Sequence, residues 1–383
     1  MIYKTFKELT LSALGFGNMR LPTLEGGAID RDTAHKMIAY AYDNGVNYFD
    51  TAYGYHGGDS ERFIGESLKR YPRESWHLVS KFPGYEKRTE WKPHEVFQEQ
   101  LDKCQVEYFD LYMLHNVYEH NLETYLNKDF GIVDALLKEK ERGRIRHFGF
   151  SVHGRTETFL KFLEVYADIM EFSMIELNAL DWNLQDAKVK YEVLKSKGIP
   201  ILVMEPVRGG KLSSFSAENE AKLKAMRPDE SIAAWAFRWI QTLDSVLVTL
   251  SGMTTEEQVV DNVKTFSQYL PLNPEEKALY EEVVGALADF VPCTLCRYCI
   301  PDCPKNLDIP TFIKLYNDCR VAPSGIAKMA VDAMRPSERP GMCIECGNCV
   351  EVCPQSIDIP AALKDLMEII DKVPRFVPAR EED

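Results

Sequence analysis

A twelve-residue pattern ending in proline occurs twice in this chain, fifty positions apart. The copies are Cys293-Thr-Leu-Cys296-Arg-Tyr-Cys299-Ile-Pro-Asp-Cys303-Pro304 and Cys343-Ile-Glu-Cys346-Gly-Asn-Cys349-Val-Glu-Val-Cys353-Pro354. Both read C-x2-C-x2-C-x3-C-P, and together they take eight of the ten cysteines. Three thiolates at this spacing suit three corners of an iron–sulfur cubane, and the fourth, before proline, is free to reach a second cluster. The expected wiring is therefore crossed. Cys293, Cys296, Cys299 and Cys353 would hold one [4Fe–4S] cluster; Cys343, Cys346, Cys349 and Cys303 would hold the other. Zinc sites pair two short knuckles rather than running three cysteines in register. A disulfide framework needs an oxidising compartment, and the first residues carry no apolar core of the kind a signal peptide needs.

The remaining composition narrows the partners. A net charge of −14 opposes nucleic acid or an anionic membrane surface as a ligand, since either favours a basic patch. No apolar run approaches the ~18 residues of a membrane span. The expectation is a cytoplasmic protein with neither nucleic acid nor membrane as partner.

Before residue 270 the hydrophobic pattern alternates between short apolar runs and longer amphipathic stretches. Strands are expected at 13–17, 48–52, 76–82, 111–115, 145–151, 172–178, 199–205 and 246–251. They are apolar on both faces, as strands of a covered parallel sheet are. Helices are expected at 32–44, 60–70, 93–105, 132–143, 156–166, 186–197 and 256–266. Eight strands with interleaved helices over about 250 residues is the pattern of a (β/α)8 barrel. An open doubly wound sheet would want G-x-G-x-x-G after its first strand. Gly15-Phe-Gly17-Asn-Met-Arg20 lacks the third glycine. The expected organisation is a barrel over 1–272, a linking helix at 273–290, an α-helical ferredoxin-like domain over 291–372, and a tail at 373–383.

Active sites of such barrels sit at the C-terminal ends of the strands. That rim carries Asp50, Tyr55, Lys81 and His115 at successive strand ends, a set suited to proton transfer. A lysine beside a phenol stabilises the phenolate, and a carboxylate holds the lysine. The segments Phe49-Asp50-Thr51-Ala52-Tyr53-Gly54-Tyr55, Val79-Ser80-Lys81 and Leu111-Tyr-Met-Leu-His115 resemble those of the aldo/keto reductase family. The whole chain is similar to the subgroup in which such a barrel is fused to a ferredoxin-like domain with two [4Fe–4S] clusters. The resemblance implies Tyr55 as general acid, Lys81 and Asp50 as its tuning groups, and His115 as the group that orients the carbonyl.

On the cofactor side the resemblance implies Ser151 near a nicotinamide, Asn262 near an adenine, and Arg208, Gly209, Gly210 and Lys211 near a pyrophosphate. Met174 and Met204 stand where the family carries a glutamine and a stacking aromatic. Gly252-Met253 and Gln258 replace the family's grip on a 2′-phosphate. The expected barrel cofactor is NAD(P) or a flavin, the latter able to accept single electrons.

In the second domain each motif continues alike, as Leu307-Asp-Ile-Pro310 and Ile357-Asp-Ile-Pro360, and each proline opens a helical pattern. Helices are expected at 311–319, 326–334 and 361–372. The functional expectation is an oxidoreductase. Electrons from a protein carrier such as ferredoxin pass through two clusters to a cofactor in the barrel, where a small carbonyl or related substrate is reduced, or the reverse oxidation occurs. The alternative is a sensing or structural protein whose clusters respond to oxygen or iron.

Overall fold

The computed structural model describes residues 1–85, 91–119, 121–287, 291, 293, 297, 299–321, 325–353 and 355–374. The chain divides into two compact units, the first running from Met1 through Tyr280 and the second beginning at Glu281. The division falls inside the helix Pro274–Gly285, within the stretch expected to link the domains. Of the expected tail, 375–383 lies outside the described residues.

The first unit opens with an antiparallel hairpin, β1 (Tyr3–Phe6) and β2 (Leu9–Ser12). Eight parallel strands follow: β3 (Leu14–Gly17), β4 (Tyr48–Asp50), β5 (His77–Phe82), β6 (Phe109–Val117), β7 (Ile145–Val152), β8 (Ser173–Glu176), β9 (Ile201–Met204) and β10 (Val246–Gly252). They close into a barrel in sequence order, with β10 pairing back onto β3. Each falls on an expected strand. Gly15 serves packing rather than phosphate binding, because a Cβ there would lie 2.7 Å from the Tyr48 ring and 2.9 Å from Val248.

The hairpin is absent from the sequence expectation, since its first strand is short and half polar. Its apolar residues Phe6, Leu9 and Leu11 join one core with Val79, Leu111 and Met113 of the barrel strands. It thereby seals one end of the barrel and leaves the strands' C-terminal ends for chemistry.

All seven expected barrel helices form, among them Asp59–Leu68, Pro93–Cys104 and Glu256–Phe266. Two more, Ala217–Met226 and Ile232–Ile240, occupy the long connection between β9 and β10. Ile232-Ala-Ala-Trp-Ala-Phe-Arg-Trp-Ile240 is buried along most of its length, including Arg238, which pairs with Glu230, whereas Ala217–Met226 spreads its few apolar residues over no single face. Among the described residues no helix is long and apolar enough to cross a membrane.

The second unit is helical, with Ile309–Val321, Gly325–Ala333 and Ile359–Lys372 as its main elements. The fifty-residue repeat extends to the backbone. Arg297 and Gly347 share a left-handed conformation (φ 65° and 82°), and so do Asn306 and Ser356 (both 51°). The amide of Cys303 donates to Ile300 O at 3.1 Å, and that of Cys353 donates to Val350 O at 3.2 Å. Asp308 and Asp358 stand at equivalent positions ahead of the two long helices, and their carboxylates accept from the Thr311 hydroxyl and the Ala361 amide.

Candidate functional site

Asp50 ends β4, Lys81 lies on β5, and His115 lies near the end of β6. Asp50 and Lys81 are buried, and the Lys81 ammonium donates to Asp50 Oδ1 at 2.5 Å and to the Thr51 carbonyl at 2.7 Å. Its third contact is the Tyr55 hydroxyl, at 3.4 Å. Tyr55 reaches this position through a left-handed turn. His56, Gly57 and Gly58 all have positive φ before the helix Asp59–Leu68 begins. Two of the three are glycines, for which that conformation costs little. The Tyr55 ring meets the His115 imidazole edge-on, with centroids 5.9 Å apart.

The β6–β7 register shifts between Leu114 and Val117, and Asn116 is left-handed at φ 43°. Such a bulge re-aims the side chain beside it, here His115. The Asn116 amide donates to the Ser151 hydroxyl at 2.7 Å, and Tyr125 donates to the His115 carbonyl at 2.9 Å. Ser151, expected near a nicotinamide, here secures the bulge that carries His115.

Burial pushes the Tyr55 phenol above its ordinary value, and the Lys81 ammonium pulls against that shift without cancelling it. Burial also raises the Asp50 carboxyl, opposed by Lys81. Lys81 is held above its usual range because Asp50 and Tyr55 outweigh its own burial. Burial, with the Lys81 ammonium and His153 adding to it, holds His115 well below the usual histidine range, so its imidazole is neutral near pH 7. The arrangement presents a protonated phenol and a neutral imidazole side by side over a buried ion pair. It can donate a proton to an oxygen atom set between them.

A second layer lies behind β5 and was not read from the sequence. Glu61 is fully buried, and its Oε1 accepts from Ser80 Oγ and Gln100 Nε2, each at 2.6 Å. Gln100 also donates to the Lys81 carbonyl at 3.0 Å, and Thr51 and Ser60 share a hydrogen bond at 2.9 Å. The helix that follows Tyr55 is thus bolted to both strands that hold Asp50 and Lys81. Burial pushes the Glu61 carboxyl up to about 7. Between the ordinary value near 4.5 and about 7, the unfolded chain has released a proton that the folded chain keeps. Stability therefore falls as pH rises through that window. Glu61→Gln is expected to gain on wild type by roughly 3 kcal/mol between pH 4.5 and 7.5. Urea unfolding at the two pH values checks this, and a constant difference refutes it.

Of the remaining expected cofactor groups, Arg208, Gly209 and Asn262 are engaged within the protein. Arg208 Nε is bound to the buried Asp181 carboxylate at 3.0 and 3.1 Å. The Gly209 amide donates to Glu205 Oε2 at 2.6 Å. Asn262 Nδ2 donates to Ser251 Oγ at 3.0 Å. Gly210 has φ 94° in the same turn as Gly209, and Lys211 is exposed. Arg208, Gly209 and Asn262 would have to give up these partners to hold a dinucleotide, whereas Lys211 is accessible.

In the second unit Cys303, Cys343, Cys346 and Cys349 line one cavity, together with Leu307, Gly347 and Leu363. Among the described residues no three His, Cys, Asp or Glu form a set that could hold a single metal ion. The Glu345 amide donates to Cys343 Sγ at 3.4 Å. Burial, and after it the neighbouring thiols Cys343, Cys346 and Cys299, push the Cys349 thiol up to about 11. Iron bound among these sulfurs would relieve that repulsion. Cys293, Cys299 and Cys353 pack into the same apolar core, and Cys296 lies outside the described residues. The donor set fits an iron–sulfur cluster.

Comparison with known proteins agrees with both halves. The description "4Fe-4S dicluster domain" matches residues 292–357, so this part of the chain is an iron–sulfur domain. The NADH-specific methylglyoxal reductase of Escherichia coli (strain K12) is 25% identical over 333 residues, covering 73% of this chain and 97% of that protein. L-Galactose dehydrogenase of Arabidopsis thaliana is 24% identical over 295 residues, covering 71% and 90%. Among solved structures, an aldo-keto reductase from Klebsiella pneumoniae in complex with NADPH superposes with a TM-score of 0.58 at 19% identity. It covers 74% of this chain and 96% of its own. The aldo/keto reductase family model matches residues 13–284, the segment that contains the barrel and its Asp50–Lys81–Tyr55–His115 rim, and the chain belongs to that family.

Proposed function

We propose that this chain is an iron–sulfur oxidoreductase that reduces a small carbonyl compound in its barrel, with electrons drawn from a reduced one-electron carrier such as ferredoxin. The observation that carries this reading is the joint presence of the Asp50–Lys81–Tyr55–His115 constellation and a cysteine-lined cavity in one chain. A sensor has no need of a buried lysine–carboxylate pair aimed at a phenol. Two [4Fe–4S] clusters, wired crosswise through Cys303 and Cys353, would each supply one electron at a time. Reduction of a carbonyl to an alcohol takes two electrons and two protons. A flavin held in the barrel and charged one electron at a time by the clusters would supply two electrons and the carbon-bound hydrogen together as hydride. Tyr55 delivers the proton that arrives on oxygen. His115, neutral, donates a hydrogen bond to that oxygen and fixes its direction. Lys81, held by Asp50, stabilises the phenolate left behind until water reprotonates it. A relative that acts on methylglyoxal supports a small carbonyl as substrate class. Retention of thiolate ligands suits a reducing cytoplasm.

The test uses full-length protein prepared anaerobically, a reduced ferredoxin and a panel of small aldehydes and ketones that includes methylglyoxal. The expected result is consumption of two carrier equivalents per carbonyl. Clusters that the carrier reduces but that drive no turnover with any member of the panel would favour the sensing alternative.

A further inference from the structure

The turn after β9 has the makings of an anion site. Arg208–Ser213 contains Gly209 and Gly210 at φ 60° and 94°; the Gly210 and Leu212 amides turn back to the Val207 carbonyl, each at 3.0 Å, and the Gly209 amide is left for a side-chain anion. That site is already filled by the chain itself. Glu205 follows β9 with φ 54°, and its Oε2 takes the Gly209 amide at 2.6 Å. Its Oε1 pairs with Arg20 Nη2 at 3.3 Å. Arg20 comes from the loop after β3 and lies against β10, where a Cβ on Gly252 would meet its side chain at 3.1 Å. The other guanidinium of the turn, Arg208, is committed to Asp181. Glu176, at the end of β8, adds a third carboxyl, which burial and the charges of Asp181 and Glu205 push well above its ordinary range against the pull of Arg208. Arg20 and Arg208 are thus each paired with a carboxylate before any ligand arrives, and Lys211 of the same turn stays exposed.

We propose that Glu205 is a built-in anion standing where a dinucleotide pyrophosphate would sit, so that the barrel keeps neither NAD(H) nor NADP(H) as a resident cofactor. A pyrophosphate would bring two further negative charges beside Glu205 and Asp181 and would have to displace a charge-assisted hydrogen bond from Gly209. The expected positions for the nicotinamide ring point the same way, with the thioethers of Met174 and Met204 in place of an amide and an aromatic ring. This inference rests on the proposed reduction only in narrowing its hydride donor to a flavin charged by the iron–sulfur domain.

The experiment is a calorimetric titration of anaerobic holoprotein with NADH and with NADPH, for wild type, Glu205→Ser and Glu205→Gln. Wild type is expected to show no saturation below the millimolar range. Removing the carboxylate is expected to tighten binding about ten- to a hundred-fold, the worth of one charge-assisted hydrogen bond. Micromolar binding by wild type overturns the proposal, and so does a Glu205→Ser protein of unchanged melting temperature that binds no tighter. Should Glu205→Ser not fold, Glu205→Gln decides on the same criterion. Turnover does not enter the measurement, so its failure and failure of the proposed reduction are told apart.

Discussion

Tyr55→Phe lowers carrier-driven carbonyl turnover by about 10²–10⁴-fold, the usual worth of a positioned proton donor, and leaves iron and sulfide content unchanged. The substitution removes one oxygen and keeps the ring that meets His115. Lys81 retains its two shorter contacts, to Asp50 and the Thr51 carbonyl, so the buried pair stays compensated and the fold is spared. The loss therefore reports the proton rather than the packing. The same geometry sets the pH response of the wild type. A general acid works in its protonated form, and burial holds the Tyr55 phenol above its ordinary value of 10. Its contribution is complete through neutral pH and is lost only as pH rises past that raised value. Initial rates across pH 6 to 9 in wild type and variant check both statements. A variant with wild-type rates would remove Tyr55 from the mechanism and leave the reductase likeness as one of fold.

Cys303→Ala strips the cluster that its sequence neighbours do not hold. The cavity joins Cys303 to Cys343, Cys346 and Cys349, which lie forty or more residues further on. Wild type is expected to carry about eight irons and eight sulfides per chain, and the variant about four of each. Combination with a second substitution identifies which cluster is gone. Cys303→Ala with Cys346→Ala loses no more iron than Cys346→Ala by itself, because both remove ligands from one cluster. Cys303→Ala with Cys293→Ala loses nearly all of it. The reverse pattern, additive loss with Cys346 and none with Cys293, would return Cys303 to its own motif and refute the crossed wiring. Iron and acid-labile sulfide assays on anaerobic protein suffice.

The eight barrel strands, seven of the barrel helices and the order of Asp50, Tyr55, Lys81 and His115 along the rim were all legible from the chain. The reason is local. A strand covered on both faces must be apolar throughout, an amphipathic helix must repeat every 3.6 residues, and strand ends in a barrel share one rim. The cysteine spacing was legible for the same reason, since three ligands lie within seven consecutive residues. The β1–β2 hairpin and Ala217–Met226 escaped because a half-polar strand and a helix with no apolar face carry neither period.

Partner choice was not local, and only the tertiary structure decided it. Glu205 pairs with Arg20 across 185 positions, Arg208 with Asp181 across 27, and Ser151 holds the Asn116 amide across 35. In sequence Arg208, Gly209, Gly210 and Lys211 are donors in search of an anion. In the fold Glu205, four residues earlier, is already seated on the Gly209 amide, and barrel closure, which brings the ends of β3, β9 and β10 side by side, sets Arg20 on its other oxygen. Which ligand a charged loop prefers depends on the charges that closure sets beside it, and those come from elements far apart along the chain.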